Sequence, residues 1–100
     1  MKIYISGRIT GLVIEEATEL FEKAENDLRA KGYDVVNPMT LIHNHDKSWQ
    51  SYMKEDIKAL CDCDAIYMLL EWGFSKGAEI EHRLALDLGM IVLYEKNFKQ

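Results

Sequence analysis

The chain has one proline and two cysteines in 100 residues, and basic residues do not exceed acidic ones. No apolar run approaches the roughly 20 residues that a bilayer-crossing helix needs. Each shortage excludes something. The N-terminal "MKIYISG" lacks the apolar stretch and small-residue cleavage site of a secretory signal, so a cytoplasmic protein with no membrane partner is expected. The net charge is −5, from 17 acidic and 12 basic residues. A protein that grips a nucleic-acid backbone shows a basic face instead, so polymeric nucleic acid is not an expected partner. A nucleotide monomer stays open, because its phosphate needs only local donors. Cys61 and Cys63 are too close for an ordinary disulfide and do not have the usual zinc spacing. Both are read as buried thiols at a helix end. "SGRITG" has neither the Gly-Lys-Ser/Thr ending of a P-loop nor the dinucleotide G-x-G-x-x-G, which removes ordinary ATPase and nicotinamide dehydrogenase chemistry. "HNHD" offers His43, His45 and Asp46, but alternation in a loop fixes no ligand geometry and supplies no third or fourth ligand. No metal and no cofactor are expected.

What is present is the composition of one globular domain over residues 1–100, with 48% hydrophobic and 29% charged residues. Apolar runs alternate with helical patterns. "KIYIS" (2–6) reads as a strand and is followed by the loop "GRITG". Val13, Ala17, Leu20, Phe21, Ala24 and Leu28 then recur at helical steps, ending at Gly32, a helix-terminating left-handed position. "YDVVNP" (33–38) is a second strand, stopped by the only proline. "MTLIHNHDK" is a loop. Ser48 caps a helix from Trp49 to Cys61 with Trp49, Met53, Ile57 and Leu60 on one side. "DAIYMLL" (64–70) is the most apolar run and reads as a central strand. The loop "EWGF" leads to Ser75, the cap of a third helix, and "MIVLYE" (90–95) is the last strand. This alternation predicts a doubly wound α/β sandwich, Rossmann- or flavodoxin-like, with a parallel sheet in the order 2-1-3-4 and helices on both faces. Ligands bind such sheets where the strand order reverses, outside the carboxyl ends of the strands. "SGRITG" and "EWGFSKG" would lie there.

The third helix carries two glutamates, Glu79 and Glu81. At about 100° per residue, Ala78, Leu84, Ala85 and Leu88 define an apolar arc with Glu81 near its middle. Glu79 falls on the far side with Arg83 and Asp87. A buried carboxylate is costly unless it is paired or hydrogen-bonded, and its pKa rises. On this reading Glu81 either makes a buried hydrogen bond to the neighbouring loop or does chemistry. Asp56 on the second helix and Tyr4 on the first strand are the groups that the topology brings near it. Two carboxylates beside one cleft suit a nucleophile and a general acid in glycosidic bond chemistry.

Several stretches carry a family resemblance. "YISGRITG", with Tyr4, Gly7, Ile9 and Gly11, resembles the first loop of the nucleoside 2-deoxyribosyltransferase-like superfamily, in particular the branch that hydrolyses 2'-deoxynucleoside 5'-monophosphates. "DIKALCDCD" places Asp56, Leu60 and Asp64 at the spacing of that branch, and "SKGAEIE" matches Ser-x-Gly-x-x-x-Glu ending on Glu81. "NPM", "W-x-x-Y-M" and "SKGAEIEH" are also similar to a small bacterial and phage family of the same fold. The resemblance implies Glu81 as nucleophile at the sugar C1', with Asp56 protonating or orienting the leaving base and Tyr4 positioning the glutamate or the sugar. It implies a substrate-binding set of Ser6, Gly7, Arg8 and Gly11 in the first loop, with Ser75 and Gly77 at the third helix. Trp72 would cover the base or pack, and Trp49 is read as packing. The monophosphate branch carries its arginine where this chain has Thr10, and the transferase branch has an acidic residue where Ser75 stands. The implied activity is N-glycosidic hydrolysis or deoxyribosyl transfer on a nucleoside or nucleotide. A small open site needs walls, so a homo-oligomer whose neighbouring chain closes the pocket is expected. The alternatives are a non-catalytic nucleotide binder of the same fold and a phage accessory protein. His82 is expected to point away from Glu81.

Overall fold

In the computed structural model, residues 1–96 are described. Strand β1 (Lys2–Ser6) leads to helix α1 (Ile14–Ala30) and strand β2 (Asp34–Val36). Helix α2 (Trp49–Cys61), strand β3 (Ala65–Met68), helix α3 (Lys76–Asp87) and strand β4 (Ile91–Tyr94) follow. All pairings are parallel and the strand order is β2-β1-β3-β4, as the alternation of elements predicts. Between β1 and β3 the chain reverses its direction of travel across the sheet, which opens a crevice at their carboxyl ends.

Period-two alternation sorts β1 between two cores. Ile3 and Ile5 face one way and pack with Phe21, Ala24 and Leu28 of α1 and with Val35, Ala65 and Leu69. Tyr4 faces the other way and joins Leu60, Cys63, Ile66, Met68, Ala78 and Ala85 beneath α2 and α3. Ser6 is two residues beyond Tyr4 and therefore lies on that same second face.

The helices end where local chemistry stops them. Ser48 Oγ accepts from Ser51 N–H at 3.2 Å and Ser75 Oγ accepts from Ala78 N–H at 3.1 Å, so both expected hydroxyl caps form. Gly32, at φ +92°, takes the left-handed position after α1.

Several expected details differ. The buried stripe of α1 is Ala17, Phe21, Ala24 and Leu28, while Val13 and Leu20 are exposed. Val13 is the extended N-cap residue, outside the helical phase. Leu20 sits about 70° from the stripe's midline at 100° per residue, too far round to reach the sheet. Trp49 and Leu88 are exposed at helix ends. Cys61, expected to be buried with Cys63, is exposed, because residues two apart near a helix end face different ways. Strands β2, β3 and β4 are shorter than their apolar runs. "EWGF" is not plain loop but holds a short 3-10 turn, Trp72–Phe74, and another 3-10 turn covers Pro38–Thr40. Asn37 makes the latter, its side-chain carbonyl accepting from Met39 N–H at 2.9 Å. Among the described residues, no helix is long and apolar enough to cross a membrane.

Candidate active site

Glu81 is 5% exposed, the one charged residue within the described core. Helix α3 carries it over β1 on a stripe with Ala78 and Ala85. Those two flanking alanines are small, so the helix lies close enough to the sheet for a short carboxylate to meet the strand. Tyr4 Oη donates to Glu81 Oε2 at 2.8 Å, and Ser6 Oγ donates to Oε1 at 2.6 Å. The two hydroxyls are two residues apart on β1, the only spacing that puts neighbouring strand side chains on one face. Each carboxylate oxygen thus has one donor, and the group is held in a single orientation.

Burial drives the pKa of Glu81 up to about 7. The Ser6 and Tyr4 hydrogen bonds favour the ionised form and limit the rise, while Asp56 adds to it by like-charge repulsion. Tyr4 is itself pushed far up, by burial first and then by the nearby Glu81 and Asp56 charges, so its phenol stays protonated and remains a donor.

A cleft of about 550 Å³ opens beside Glu81. Gly7 and Thr10 of the first loop line it, as do Asp56 of α2 and Ser75, Gly77 and Ala78 at the start of α3. Gly7 has a steric reason: a Cβ there would lie 2.8–3.1 Å from the Leu69 side chain. Asp56 Oδ1 is buried with no hydrogen-bond partner among the described residues. Its pKa rises to about 6, chiefly through burial, with His43 opposing the rise and Glu55 adding to it. The Asp56 charge is felt at Glu81, so the two carboxyls titrate as a pair. Two hydroxyls donate to Glu81 and none to Asp56 Oδ1, so hydrogen bonding favours the ionised form at Glu81 alone.

Of the residues singled out in the sequence, Glu81, Asp56, Gly7, Ser75 and Gly77 border the cleft, and Tyr4 and Ser6 support Glu81 from beneath. Ser6 therefore contacts the carboxylate, whereas the resemblance implies contact with substrate. Arg8, Gly11 and Trp72 do not line the cleft. Arg8 pairs with the exposed Glu71 at 3.5 Å. Trp72 stacks on His82 at 4.2 Å between ring centroids and lies near Tyr94, on the β4 side. His82 Nε2 meets Tyr94 Oη at 2.7 Å, away from Glu81.

The far wall consists of residues that sequence reading left aside or assigned elsewhere: His43, Lys47, Trp49, Tyr52 and Met53. The repeat Trp49, Tyr52, Met53, Asp56 at steps of three, one and three was the available signal, because it marks one face of α2. No group of three or more His, Cys, Asp or Glu able to hold a metal ion occurs among the described residues. Chemically, the cleft offers a buried carboxylate with fixed orientation, a second carboxyl of raised pKa and an aromatic wall.

A solved structure of a 2-deoxyribosyltransferase from the psychrotolerant bacterium Bacillus psychrosaccharolyticus superposes with a TM-score of 0.73 at 22% sequence identity, covering 94% of this chain and 71% of that one. The fold is thus nucleoside 2-deoxyribosyltransferase-like. No curated protein matches the sequence. The family model described as "Domain of unknown function (DUF4406)" matches residues 1–94, and the chain belongs to that family.

Proposed function

We propose that the protein cleaves the N-glycosidic bond of a nucleoside or nucleotide, by hydrolysis or by deoxyribosyl transfer. The observation that carries this reading is the buried Glu81 carboxylate at the cleft, clamped by Tyr4 and Ser6 and faced by Asp56. An oxygen of ionised Glu81 attacks C1' of the sugar. The C1'–N bond breaks, its electron pair stays on the base, and the Asp56 carboxyl protonates the base as it leaves. The product of this step is a glycosyl ester of Glu81. Water, or a second base, then attacks C1' and expels Glu81, and the incoming proton returns to Asp56. The clamp orients the nucleophile and keeps part of its charge stabilised in a water-poor site.

Gly7, Ser75 and Gly77 lie where backbone amides and one hydroxyl can meet a ribose or a phosphate at the start of α3. Arg8, two positions short of the arginine of the monophosphate branch, pairs with Glu71 outside the cleft. Trp49 and Tyr52 form a face on which a base stacks. The fold shared with a 2-deoxyribosyltransferase supports a nucleoside-directed reaction. A cytoplasmic location suits such a substrate. Trp49, Ile14 and Tyr52 are partly exposed at the cleft, which supports a homo-oligomer in which a second copy closes it.

The test is release of free base from a panel of nucleosides, deoxynucleosides and their 5'-monophosphates. Wild-type protein is expected to release base from at least one of them, and Glu81→Ala to lose at least about a thousandfold of that rate while remaining folded. Equal turnover by both proteins overturns the assignment. Ligand-induced stabilisation in both, with no base released from any compound, would favour a non-catalytic binder.

A further inference from the structure

The loop "HNHDKS" forms a directional hydrogen-bond chain that stops at Asp56. The backbone N–H of Lys47 donates to His45 Nδ1 at 3.0 Å. A backbone amide has only a proton to offer, so Nδ1 presents its lone pair and a neutral His45 carries its proton on Nε2. His45 Nε2 lies 3.1 Å from His43 Nδ1. By the same logic His43 accepts at Nδ1 and carries its proton on Nε2. That N–H faces two acceptors, the Pro38 carbonyl at a long 3.4 Å and Asp56 Oδ1 at 4.0 Å. Tyr52 packs edge-on against both imidazoles, with ring centroids 4.7 and 4.6 Å apart. Lys47 holds a left-handed φ of +65°, and its ammonium meets the His43 carbonyl. The loop is thus tied at both ends around one imidazole of set orientation.

We propose that His43 is a positioning residue for Asp56, held in one tautomer by His45 and the Lys47 amide so that its Nε2–H partners the Asp56 carboxylate whenever that group is ionised. Asp56 Oδ1 is otherwise a buried acceptor without a donor, an arrangement that is costly for a charged group. A ring shift of about 1 Å brings the weakly held N–H from hydrogen-bond reach of Pro38 to that of Asp56. In the N-glycosidic reaction proposed above, Asp56 becomes an anion when it gives its proton to the leaving base. His43 then supplies the compensating hydrogen bond, and the proton count of the reaction is unchanged. The inference rests on that reaction for its consequence and on the loop for its geometry. The charged groups that act on Asp56 are His43 from this loop and Glu55 from its own helix, and the Asp56 charge is in turn felt by Glu81 of α3 and Tyr4 of β1. Lys47 shares the cleft. His43 is a stabilising partner for the ionised form, and Glu55 and Glu81 oppose it.

The test is direct titration of the Asp56 carboxyl carbon by NMR in wild type, His43→Phe and His43→Gln. Phenylalanine keeps the ring packing on Tyr52 and removes both nitrogens, whereas glutamine restores an N–H near the Nε2 position. The Asp56 midpoint is expected to rise by about one unit in His43→Phe and to stay closer to wild type in His43→Gln. The same midpoint in all three proteins overturns the proposal. Imidazole nitrogen spectra of wild type are a second readout that needs no variant to fold. Both histidines are expected as the Nε2–H tautomer, and an Nδ1–H on His43 overturns the proposal. In turnover, the pH profile of kcat/KM should move upward in His43→Phe, in the same direction as the Asp56 midpoint. If wild type releases no base, the reaction falls, yet the midpoint and the tautomers still decide the role of His43.

Discussion

The two faces of the sheet take their residues from the same strands and end up chemically unlike. Under α1, β1 contributes Ile3 and Ile5 to an all-apolar cluster built around Phe21. Under α2 and α3 it contributes Tyr4 and Ser6, whose hydroxyls meet the carboxylate of Glu81. The first face stabilises the fold by burying apolar area, at about 25 cal/mol per Å². The second face encloses an acid that works against stability whenever it is ionised. A 100-residue domain has one sheet to serve both purposes, and period-two alternation keeps them apart.

The contrast can be broken first on the dry side. Phe21 is fully buried, so Phe21→Ala should cost about 4 kcal/mol through lost burial and a cavity. A fall in the denaturant midpoint checks it, and the cost should be nearly independent of pH between 4 and 8, because the buried members of that cluster are all apolar and the titratable groups packed against it are phenols. The next effect is of opposite sign and pH-dependent. The folded pKa of Glu81, about 7, lies above its ordinary value of 4.5. Between those values the folded protein holds more protons than the unfolded chain, so stability falls as pH rises through that window. Glu81→Gln removes the penalty. It should raise stability at pH 8 relative to wild type by up to about 3 kcal/mol and give no such gain near pH 4, as melting curves at the two values would show. A pH-independent effect would mean that the buried acid carries no such cost. The smallest change sharpens the role of the clamp. Tyr4→Phe deletes one donor to Glu81 and keeps the ring. It should cost about 2 kcal/mol above pH 7, where the accepting group is charged, and less at pH 5, where it is neutral. Equal losses at both values would show that the phenol acts only by packing.

The buried carboxylate is legible in the sequence because a helix has a fixed angular step. Ala78 and Ala85 mark the buried side of α3, and Glu81 lies between them. The alternation of elements implies a parallel doubly wound sheet, and 2-1-3-4 is one of the two common orders of such sheets. The role of Ser6 was less legible. Its alternation with Tyr4 places it on the right face, but a serine at a strand end beside a glycine loop reads equally well as a ligand contact. Trp72 was ambiguous for a related reason: a large ring after a central strand can turn to either side, and the 3-10 turn Trp72–Phe74 sends it to His82 and Tyr94. His43 lay in a stretch without periodicity, where sequence spacing sets no direction for a side chain.

By itself the sequence determined the parallel sheet, the helix caps at Ser48 and Ser75, and which of two glutamates goes inside. Those features arise from local geometry that repeats along the chain: two residues per strand period, 3.6 per helical turn. The tertiary structure alone decided that Tyr4 and Ser6 share one carboxylate, that Asp56 Oδ1 is left without a donor, and that two histidines line up toward it. Those are contacts across up to 77 residues of sequence. They depend on how closely a helix sits on a strand and how one loop folds back, distances of a few tenths of an ångström that no repeating pattern encodes.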